Sequence, residues 1–365
     1  MFMNNRERLL TLLSGIQPDR VPWFGDLAYW YGATKSAGKL DEKYLGDGYF
    51  HMHRELDVGF YLQGYFPFHE KSEGVTFEIV RDGDEVVTTM ITPNGSLTEK
   101  QQYLPISSSY GIVKHYVENY EDLTAFRYYI ENLSYTPDYD EAARRKDIVG
   151  DNGVVVCYTP RTPFQQMITT FSGVENLIYL LMDYPEEMDN LLKLMEEKYD
   201  IAAGMAADSP AEMVMIPENL SSEVVGRYYE KYLRPCESKW IKKIKAAGKY
   251  TLIHMDGTLK GLVSEVAETG FDIIEAVTPA PVGDMTLDEV ADAIDGDTII
   301  WGGLPGTMFT EKISDDEFEA FVKDILSTMR TKPRFVLGVA DQVPPDGLLS
   351  RVKAVAPLIE AYGRY

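Results

Sequence analysis

Residues 250–284, YTLIHMDGTLKGLVSEVAETGFDIIEAVTPAPVGD, contain the pattern that decides the fold of this chain. The stretch has the pattern of an apolar strand, a polar His-x-Asp-Gly turn, an amphipathic helix and a second apolar strand. His254 and Asp256 end the first strand, and Glu275 ends the second. Alternating strands and helices predict a parallel sheet, and in a barrel of such units chemistry is done at the carboxyl ends of the strands.

The same rhythm extends along the chain. Eight short apolar or β-branched runs are of the kind buried in a parallel sheet. They are residues 21–25, 58–63, 153–158, 212–216, 250–254, 272–276, 298–302 and 335–338. A helical pattern follows each run from the third onward, and Ser172, Thr286 and Ser314 each precede a Glu at capping-box spacing. We therefore predict an α/β fold, a (β/α)8 TIM barrel, in one domain spanning residues 1–365.

Residues 65–150 interrupt this rhythm. Runs at 76–80 and 85–92 flank the sequence Arg81-Asp82-Gly83-Asp84, which predicts a β-hairpin. Helical patterns follow near 121–131 and 138–145. We expect an inserted β-hairpin and helical subdomain between the second and third barrel strands.

Composition excludes several classes of function. The formal net charge of −23 disfavours nucleic acid and anionic membrane surfaces as partners. No uncharged apolar run approaches the ~20 residues of a membrane span, and the charged N-terminal pattern does not resemble a signal peptide. Two cysteines suit a reducing compartment, so we expect a cytoplasmic protein without disulfide bonds.

The predicted strand ends bring polar residues to one edge of the barrel. They are Asp26, Gln63, Tyr158, Arg161, Glu218, Asn219, His254, Asp256, Glu275, Trp301, Asp341 and Gln342. An imidazole among carboxylates can hold a divalent metal. Such a set can also keep one carboxyl group protonated, because close negative charges raise a pKa.

Simpler interpretations remain open for three of these residues. Asp256 precedes Gly257 and Thr258, so it fits an N-cap of the next helix. Glu275 fits a carboxylate that neutralises a basic neighbour, and His254 fits a hydrogen-bonded core histidine. The aromatic cluster that includes Trp23, Tyr29 and Trp30 fits either core packing or a flat pocket for an aromatic or macrocyclic ligand.

Three further stretches resemble the uroporphyrinogen decarboxylase superfamily. RERLLTLLSGIQPDRVPW near the N-terminus resembles the opening helix, Pro-Asp-Arg turn and first strand of that family. TPRTPFQQMITTFSGVENLIYLLMDYPEEMDNLLKLM resembles its Pro-Phe turn and following helix pair, and residues 254–257 resemble its late His-x-x-Gly turn. The resemblance covers nearly the whole chain and implies a (β/α)8 barrel.

Two chemistries are known in the family, and the residues distinguish them. The resemblance to true decarboxylases implies an Arg-rich loop after the first strand, but here that loop reads GDLAYWYGATKSAGK and the next arginine is Arg54. The corrinoid-dependent methyltransferase branch implies a zinc site built from a His-x-Cys pair and a distant Cys. This chain has His254 and Asp256 at the first pair and Asp341 near the third position, which is a harder ligand set.

The resemblance implies the methyltransferase component of a corrinoid-dependent, O-demethylase-type system. We expect His254, Asp256, Glu218 and Asp26 as catalytic residues, and His254, Asp256 and Asp341 as ligands of Zn²⁺. Expected substrate-binding residues are Trp23, Tyr29, Trp30, Tyr158, Arg161, Asn219, Glu275, Trp301 and Gln342. The corrinoid would be carried by a partner protein, and the family also allows a homodimer.

Two alternatives stay open. One is a decarboxylase-like lyase acting on a small or tetrapyrrole carboxylic acid, with Arg161 or Arg227 as the carboxylate clamp. The other is a non-catalytic protein that binds a tetrapyrrole or corrinoid.

Overall fold

A computed structural model describes residues 3–61, 65–294, 296–332 and 334–365 of the chain. The strands are β1 Trp23–Phe24, β2 Phe68–Ser72, β3 Thr76–Asp82, β4 Glu85–Thr92, β5 Gly95–Leu104, β6 Ser109–Lys114, β7 Leu133–Pro137, β8 Val156–Tyr158, β9 Met213–Ile216, β10 Tyr250–His254, β11 Ile273–Val277, β12 Ile299–Pro305 and β13 Phe335–Ala340. The helices are α1 Asn5–Leu13, α2 Ala28–Ser36, α3 Gly48–Glu55, α4 Asp122–Glu131, α5 Asp140–Val149, α6 Pro163–Gln166, α7 Gly173–Asp183, α8 Pro185–Asp208, α9 Ser222–Val225, α10 Arg234–Ala246, α11 Val263–Thr269, α12 Leu287–Ala293, α13 Asp315–Met329 and α14 Leu349–Tyr362.

Seven strands form a curled parallel sheet in the order β1-β13-β12-β11-β10-β9-β8. Strands β9, β11, β12 and β13 are buried along their whole length, as their apolar runs predict. Each strand from β8 onward is followed by a helix that packs in the outer layer. The α/β prediction and seven of the eight predicted strand positions are confirmed.

The eighth predicted strand, residues 58–63, is present as two single bridges. Gly59 bridges Phe24 of β1, and Phe60 bridges Gly153, just before β8, both in parallel orientation. The two glycines permit this close approach, because a Cβ on Gly59 would lie 2.5 Å from the Phe24 ring and one on Gly153 would lie 1.9 Å from the Phe60 carbonyl oxygen. Gln63, predicted at the end of this strand, lies outside the described residues.

The predicted hairpin is part of a larger antiparallel sheet. β3 and β4 pair around the Asp82–Glu85 turn as expected, and β5 and β6 extend them into a four-stranded sheet in the order β3-β4-β5-β6. β2 and β7 form a separate antiparallel pair. All these strands lie within the predicted range 65–150, together with α4 and α5.

Side chains alternate across the curled sheet, and this alternation points particular residues into its interior. Phe24, Tyr61, Leu252 and Trp301 belong to one buried cluster, in which the Tyr61 and Trp301 ring centroids are 4.4 Å apart. A second cluster fills the space between sheet and helices and contains Ile253. Since neighbouring residues of a strand face opposite sides, His254 lies on the interior face with Leu252.

No helix among the described residues has the length and apolar character needed to cross a membrane.

Candidate active site

The centre of the site is a hydrogen bond between neighbouring strands. His254 of β10 and Glu275 of β11 are register partners, so their side chains emerge side by side at the carboxyl edge of the sheet. The His254 Nδ1 atom lies 2.6 Å from a Glu275 carboxylate oxygen, while the other Glu275 oxygen accepts a hydrogen bond of 2.7 Å from the Tyr61 hydroxyl. Glu275 is fully buried, so His254 has a fixed ring orientation with its Nε2 atom directed away from Glu275.

Two further carboxylates lie near the Nε2 atom of His254. Asp256 Oδ2 is 3.7 Å and Asp341 Oδ1 is 3.8 Å from this nitrogen. One ligand atom from each of the three residues lies within 4.8 Å of the other two. The side chains are 11%, 28% and 50% exposed for His254, Asp256 and Asp341, so access from solvent increases toward Asp341.

Two successive side-chain hydrogen bonds, from Arg161 to Asn219 and from Asn219 to Asp256, hold Asp256 in position. The Asn219 amide donates to Asp256 Oδ2 at 3.3 Å, and Arg161 donates to the Asn219 side-chain oxygen at 2.9 Å. Asp256 does not cap a helix, since α11 begins only at Val263. The N–H groups of Thr258 and Leu259, which an N-cap at Asp256 would bind, donate to the Ser221 hydroxyl and to Asp284 instead. The N-cap interpretation of Asp256 is therefore wrong.

Backbone strain is concentrated at this edge of the sheet. Asn219, Ala276 and Asp341 have φ angles of 53°, 67° and 68°, a region that residues other than glycine rarely adopt. Ala276 coincides with an irregularity in the pairing of β11 with β12. Such conformations each cost ~1–3 kcal/mol and are typical of sites where backbone direction matters.

Electrostatics in this cluster favour an imidazolium among carboxylates. Burial alone would lower the pKa of His254, but the Glu275 and Asp256 carboxylates outweigh it and hold that pKa well above its usual value. Burial would raise the pKa of Asp256, yet its hydrogen bond to His254 brings the net shift below the usual value. Burial raises the pKa of Asp26 to about 7, and the charges of Glu275 and Asp341 add to this.

Asp26 is the carboxyl group best suited to carry a proton here. It follows β1, is 4% exposed and accepts a hydrogen bond of 2.7 Å from the backbone N–H of Ala28. Its raised pKa follows from burial beside like charges, the second of the two uses expected for the strand-end carboxylates.

Glu218 lies apart from this cluster. Its two oxygens accept hydrogen bonds from the Thr162 N–H at 2.6 Å and the Thr162 hydroxyl at 3.1 Å, and its own carbonyl accepts one from Gln165. Glu218 is fully buried, and burial raises its pKa to about 7. These contacts tie the loop after β8 to the loop after β9, so Glu218 shapes the mouth and holds Arg161 near Asn219.

The other predicted substrate-binding residues divide into two groups. Trp23 and Trp301 are 3% and 0% exposed and belong to the core. Four others are half-buried and lie at or after the carboxyl ends of β1, β8 and β13: Tyr29, Trp30, Tyr158 and Gln342. Trp30 donates from its ring nitrogen to the Gly347 carbonyl at 3.0 Å, which fixes α2 against the loop after β13.

Sequence reasoning did not assign two residues that the geometry makes important. Tyr61 holds the second oxygen of Glu275, and Thr162 holds both oxygens of Glu218. Tyr61 belongs to a conspicuous aromatic run, but only the folded chain shows its partner. Cys157 and Cys236 are free, buried thiols and belong to the hydrophobic core.

Comparison with known proteins identifies the family. A sequence model of uroporphyrinogen decarboxylase (URO-D) matches residues 140–362, more than half of the chain. The chain therefore belongs to the uroporphyrinogen decarboxylase family, and the predicted resemblance is confirmed. A search of curated proteins gave no match.

Solved structures support the fold. A methyltransferase from Methanosarcina mazei superposes with a TM-score of 0.64 and 15% sequence identity, covering 99% of each chain. At this identity the likeness demonstrates a shared fold. The match to a fructuronate-tagaturonate epimerase from Cohnella laeviribosi covers 73% of this chain and 72% of that chain at 10% identity, but the TM-score of 0.23 is too low to indicate a shared fold.

Proposed function

We propose that this protein is the methyltransferase component of a corrinoid-dependent system of the O-demethylase type. The observation that carries the proposal is the convergence of His254, Asp256 and Asp341 at the carboxyl edge, with His254 oriented by the buried Glu275. The methyltransferase that shares the fold is in keeping with this chemistry. We take the barrel to be completed by residues 58–60, with β2–β7 inserted beside its mouth.

The ligand set fits a zinc ion. Ligand atoms ~2.0–2.2 Å from one tetrahedral zinc lie ~3.3–3.6 Å apart. The Nε2 atom of His254 is 3.7 Å from Asp256 and 3.8 Å from Asp341, so small side-chain rotations would suffice. A zinc ion held there would polarise the ether oxygen of the substrate as a Lewis acid.

The residues of this chain orient the ligands and supply the proton. Glu275 fixes the His254 tautomer, and Asn219 fixes Asp256. The carbon–oxygen bond of the methyl ether breaks, both bonding electrons stay on oxygen, and Asp26 in its acid form can protonate that oxygen. A pKa of about 7 keeps much of Asp26 protonated near neutral pH.

The methyl group would pass to a corrinoid carried by a partner protein that docks over the mouth. Asp341, the most exposed of the three proposed ligands, lies on the side that such a partner would approach. The aromatic side chains around the mouth suit a methoxylated aromatic substrate.

The arginine content disfavours a porphyrinogen as substrate. Arg54, the first arginine after the loop at residues 25–39, donates to the carbonyl groups of Ile148 and Val149 at 2.8 and 2.7 Å. Arg54 therefore stabilises the fold through these two hydrogen bonds, which direct its side chain away from a substrate propionate group.

Methyl transfer can be tested with purified protein, reduced cobalamin and aromatic methyl ethers, by following the absorbance change of cob(I)alamin to methylcobalamin. We expect zinc-dependent transfer that is lost in His254→Ala. Transfer that is equally fast in His254→Ala, or no transfer to either free cobalamin or a corrinoid protein with zinc-loaded enzyme, would contradict the proposal.

A carboxy-lyase is the second candidate, because Arg161 is suited to clamp a carboxylate. Its Nε atom is buried without a hydrogen-bond partner among the described residues. Release of CO2 from a small carboxylic acid in the absence of corrinoid would favour this candidate. Arg227, the other proposed clamp, donates to the Tyr228 hydroxyl at an exposed position.

A further inference from the structure

An exposed edge strand lies outside the candidate active site. β3 lies at one edge of the four-stranded sheet β3-β4-β5-β6 and pairs with β4 along all 7 of its residues. Every residue of β3 is exposed, and its apolar side chains Phe77, Ile79 and Val80 are 49%, 60% and 61% exposed. No strand among the described residues pairs with its outer side. An edge of this kind can bind a further strand.

β3 lacks the features that usually prevent edge pairing. It contains no proline, glycine or bulge, and its pairing with β4 is regular from end to end. The opposite edge of the same sheet differs, because the pairing of β5 with β6 shifts register between Lys100 and Gln101 and leaves Val113 as an extra residue. Such a bulge disrupts the row of hydrogen-bonding groups at an edge. In this sheet a further strand can therefore pair regularly with β3 only.

The turn after β3 determines which backbone groups face outward. Asp82 and Glu85 are paired across a two-residue turn, and the pair that closes such a turn exchanges its backbone hydrogen bonds. Hydrogen-bonded pairs alternate along an antiparallel ladder, so every second residue before Asp82 also directs its backbone groups to β4. The residues between them direct their N–H and C=O groups outward, and these are Phe77, Ile79 and Arg81.

A second copy of β3 can pair with this edge in few symmetric registers, because outward-facing residues must meet each other. A two-fold axis through Glu78 would place two Glu78 carboxylates directly opposite each other. An axis through Val80 would place Glu78 opposite Asp82. Like charges directly opposite are destabilising, so the favoured axis passes through Ile79, which then lies opposite its counterpart in the second copy.

The register about Ile79 is also complementary in its other contacts. Phe77, whose ring centroid lies 6.2 Å from that of Tyr129 in α4, would lie opposite Arg81 of the second copy, and this pair would occur twice. An arginine next to an aromatic ring contributes a cation–π contact. Three outward-facing residues in each strand would form about six backbone hydrogen bonds. Both the backbone and the side chains of β3 thus fit a second β3.

We infer that two copies of this chain associate through antiparallel pairing of their β3 strands about Ile79, which joins their two four-stranded sheets into one. Such a two-fold pair is closed, since it uses both β3 edges. The inference does not depend on the proposed function. Each copy carries a formal charge of −23, so association should tighten as salt screens the repulsion between the copies.

Sedimentation equilibrium of the purified full chain measures this association. We expect a monomer–dimer equilibrium at up to about 200 μM protein, because one strand pair is a small interface of the weak kind. Ile79→Lys places two lysines opposite each other at the axis and should weaken the dimer about 100-fold. Val113→Lys is the matched control, because Val113 is 64% exposed on the opposite edge of the same sheet, and it should associate like wild type.

A charge exchange shows that the Ile79→Lys variant is still folded. An equimolar mixture of Ile79→Lys and Ile79→Glu should associate again, because opposite charges then meet at the axis.

Cysteine cross-linking tests the register itself. The Cα atoms of a hydrogen-bonded pair lie about 5.5 Å apart, a distance that suits a disulfide. Ile79→Cys should therefore form a disulfide-linked dimer on mild oxidation. Val80→Cys, at a position of similar exposure, would lie opposite Glu78 and should not. Cys157 and Cys236 are buried and take no part in the cross-link.

The possible outcomes decide the inference. A wild-type chain that stays monomeric at every concentration and salt level, or a dimer that survives in Ile79→Lys, would overturn it. Oligomers that Val113→Lys disperses, or cross-linking of Val80→Cys in preference to Ile79→Cys, would also overturn it. A β3 dimer that behaves as expected but transfers no methyl group would retain the inference and refute the proposed function alone.

Discussion

Replacing Glu275 with glutamine removes one negative charge from the site while preserving the size of the side chain. Both Glu275 oxygens are used, by His254 at 2.6 Å and by Tyr61 at 2.7 Å, and the residue is fully buried. The amide oxygen of glutamine can accept one of these two hydrogen bonds, while its NH2 group lies next to the other partner. The variant should therefore fold, with His254 in place but with a neutral partner.

The expected loss follows from the role of such a partner. A carboxylate behind a metal-binding imidazole increases its basicity, and its removal typically costs 10–100-fold in metal affinity, or about 1.4–2.7 kcal/mol. The proton competes with the metal for the same nitrogen. Burial would lower the pKa of His254, but the Glu275 and Asp256 carboxylates hold it well above its usual value, so zinc must displace a proton from the wild-type site.

Zinc affinity should depend on pH differently in wild type and in Glu275→Gln. Wild-type zinc affinity should rise with pH until the solution passes the raised pKa of His254. In Glu275→Gln that pKa falls, so the affinity should level off at a lower pH and at a lower value. The difference between the two proteins should thus be smallest in acid and largest at the highest pH.

The assay is zinc affinity by competition with a chromophoric chelator, at several values from about pH 6 to about pH 9. Glu237→Gln is the matched control, since Glu237 is also fully buried and accepts a tyrosine hydroxyl, that of Tyr229, at 2.6 Å. It should bind zinc like wild type. Identical profiles for Glu275→Gln and wild type would refute the reasoning, as would zinc binding that survives in His254→Ala.

Three further changes test other parts of the structure. The pKa of Asp26 is raised from 3.8 to about 7 in the folded state, so wild type should lose stability as pH rises from about 4 to about 8. The stability of Asp26→Asn relative to wild type, measured in urea titrations, should therefore increase by up to about 4 kcal/mol over that range. The same stability difference at about pH 4 and about pH 8 would contradict this burial effect. His254→Ala should lose bound zinc and methyl transfer. It should also lower the free energy of unfolding by ~3–5 kcal/mol, because it leaves the fully buried Glu275 carboxylate without its ion-pair partner. Retained activity would make His254 structural. Gly257→Ala should destabilise the fold by about 1–3 kcal/mol, because its Cβ would lie 2.3 Å from the Cβ of Ser221. Gly32→Ala should not destabilise it, because Gly32 lies in a helix and its Cβ would have no neighbour within 4 Å. Equal melting temperatures of the two variants would refute this steric argument.

Much of the fold could be predicted from local sequence patterns. Buried parallel strands are continuous apolar runs, and this signal located β8–β13 within a few residues. The capping boxes at Thr286 and Ser314 are formed as predicted, because all their atoms lie within one helical turn. Ser172 does not cap α7, because its hydroxyl donates to the Val117 carbonyl from a distant part of the chain.

The sequence by itself determined which residues end the strands and on which face of β10 His254 lies, because both depend on neighbours within the same strand. Only the tertiary structure decided that Glu275 hydrogen-bonds the Nδ1 atom of His254 and that Asp341 lies near its Nε2 atom. Strand register and the curvature of the sheet bring those side chains together. A cavity beside this site, lined by Tyr129, Arg161 and Pro217 among others, could likewise not be predicted, because its walls come from segments far apart in the chain. Local pattern specifies strands and their faces, whereas the site depends on distances between elements, which packing alone sets.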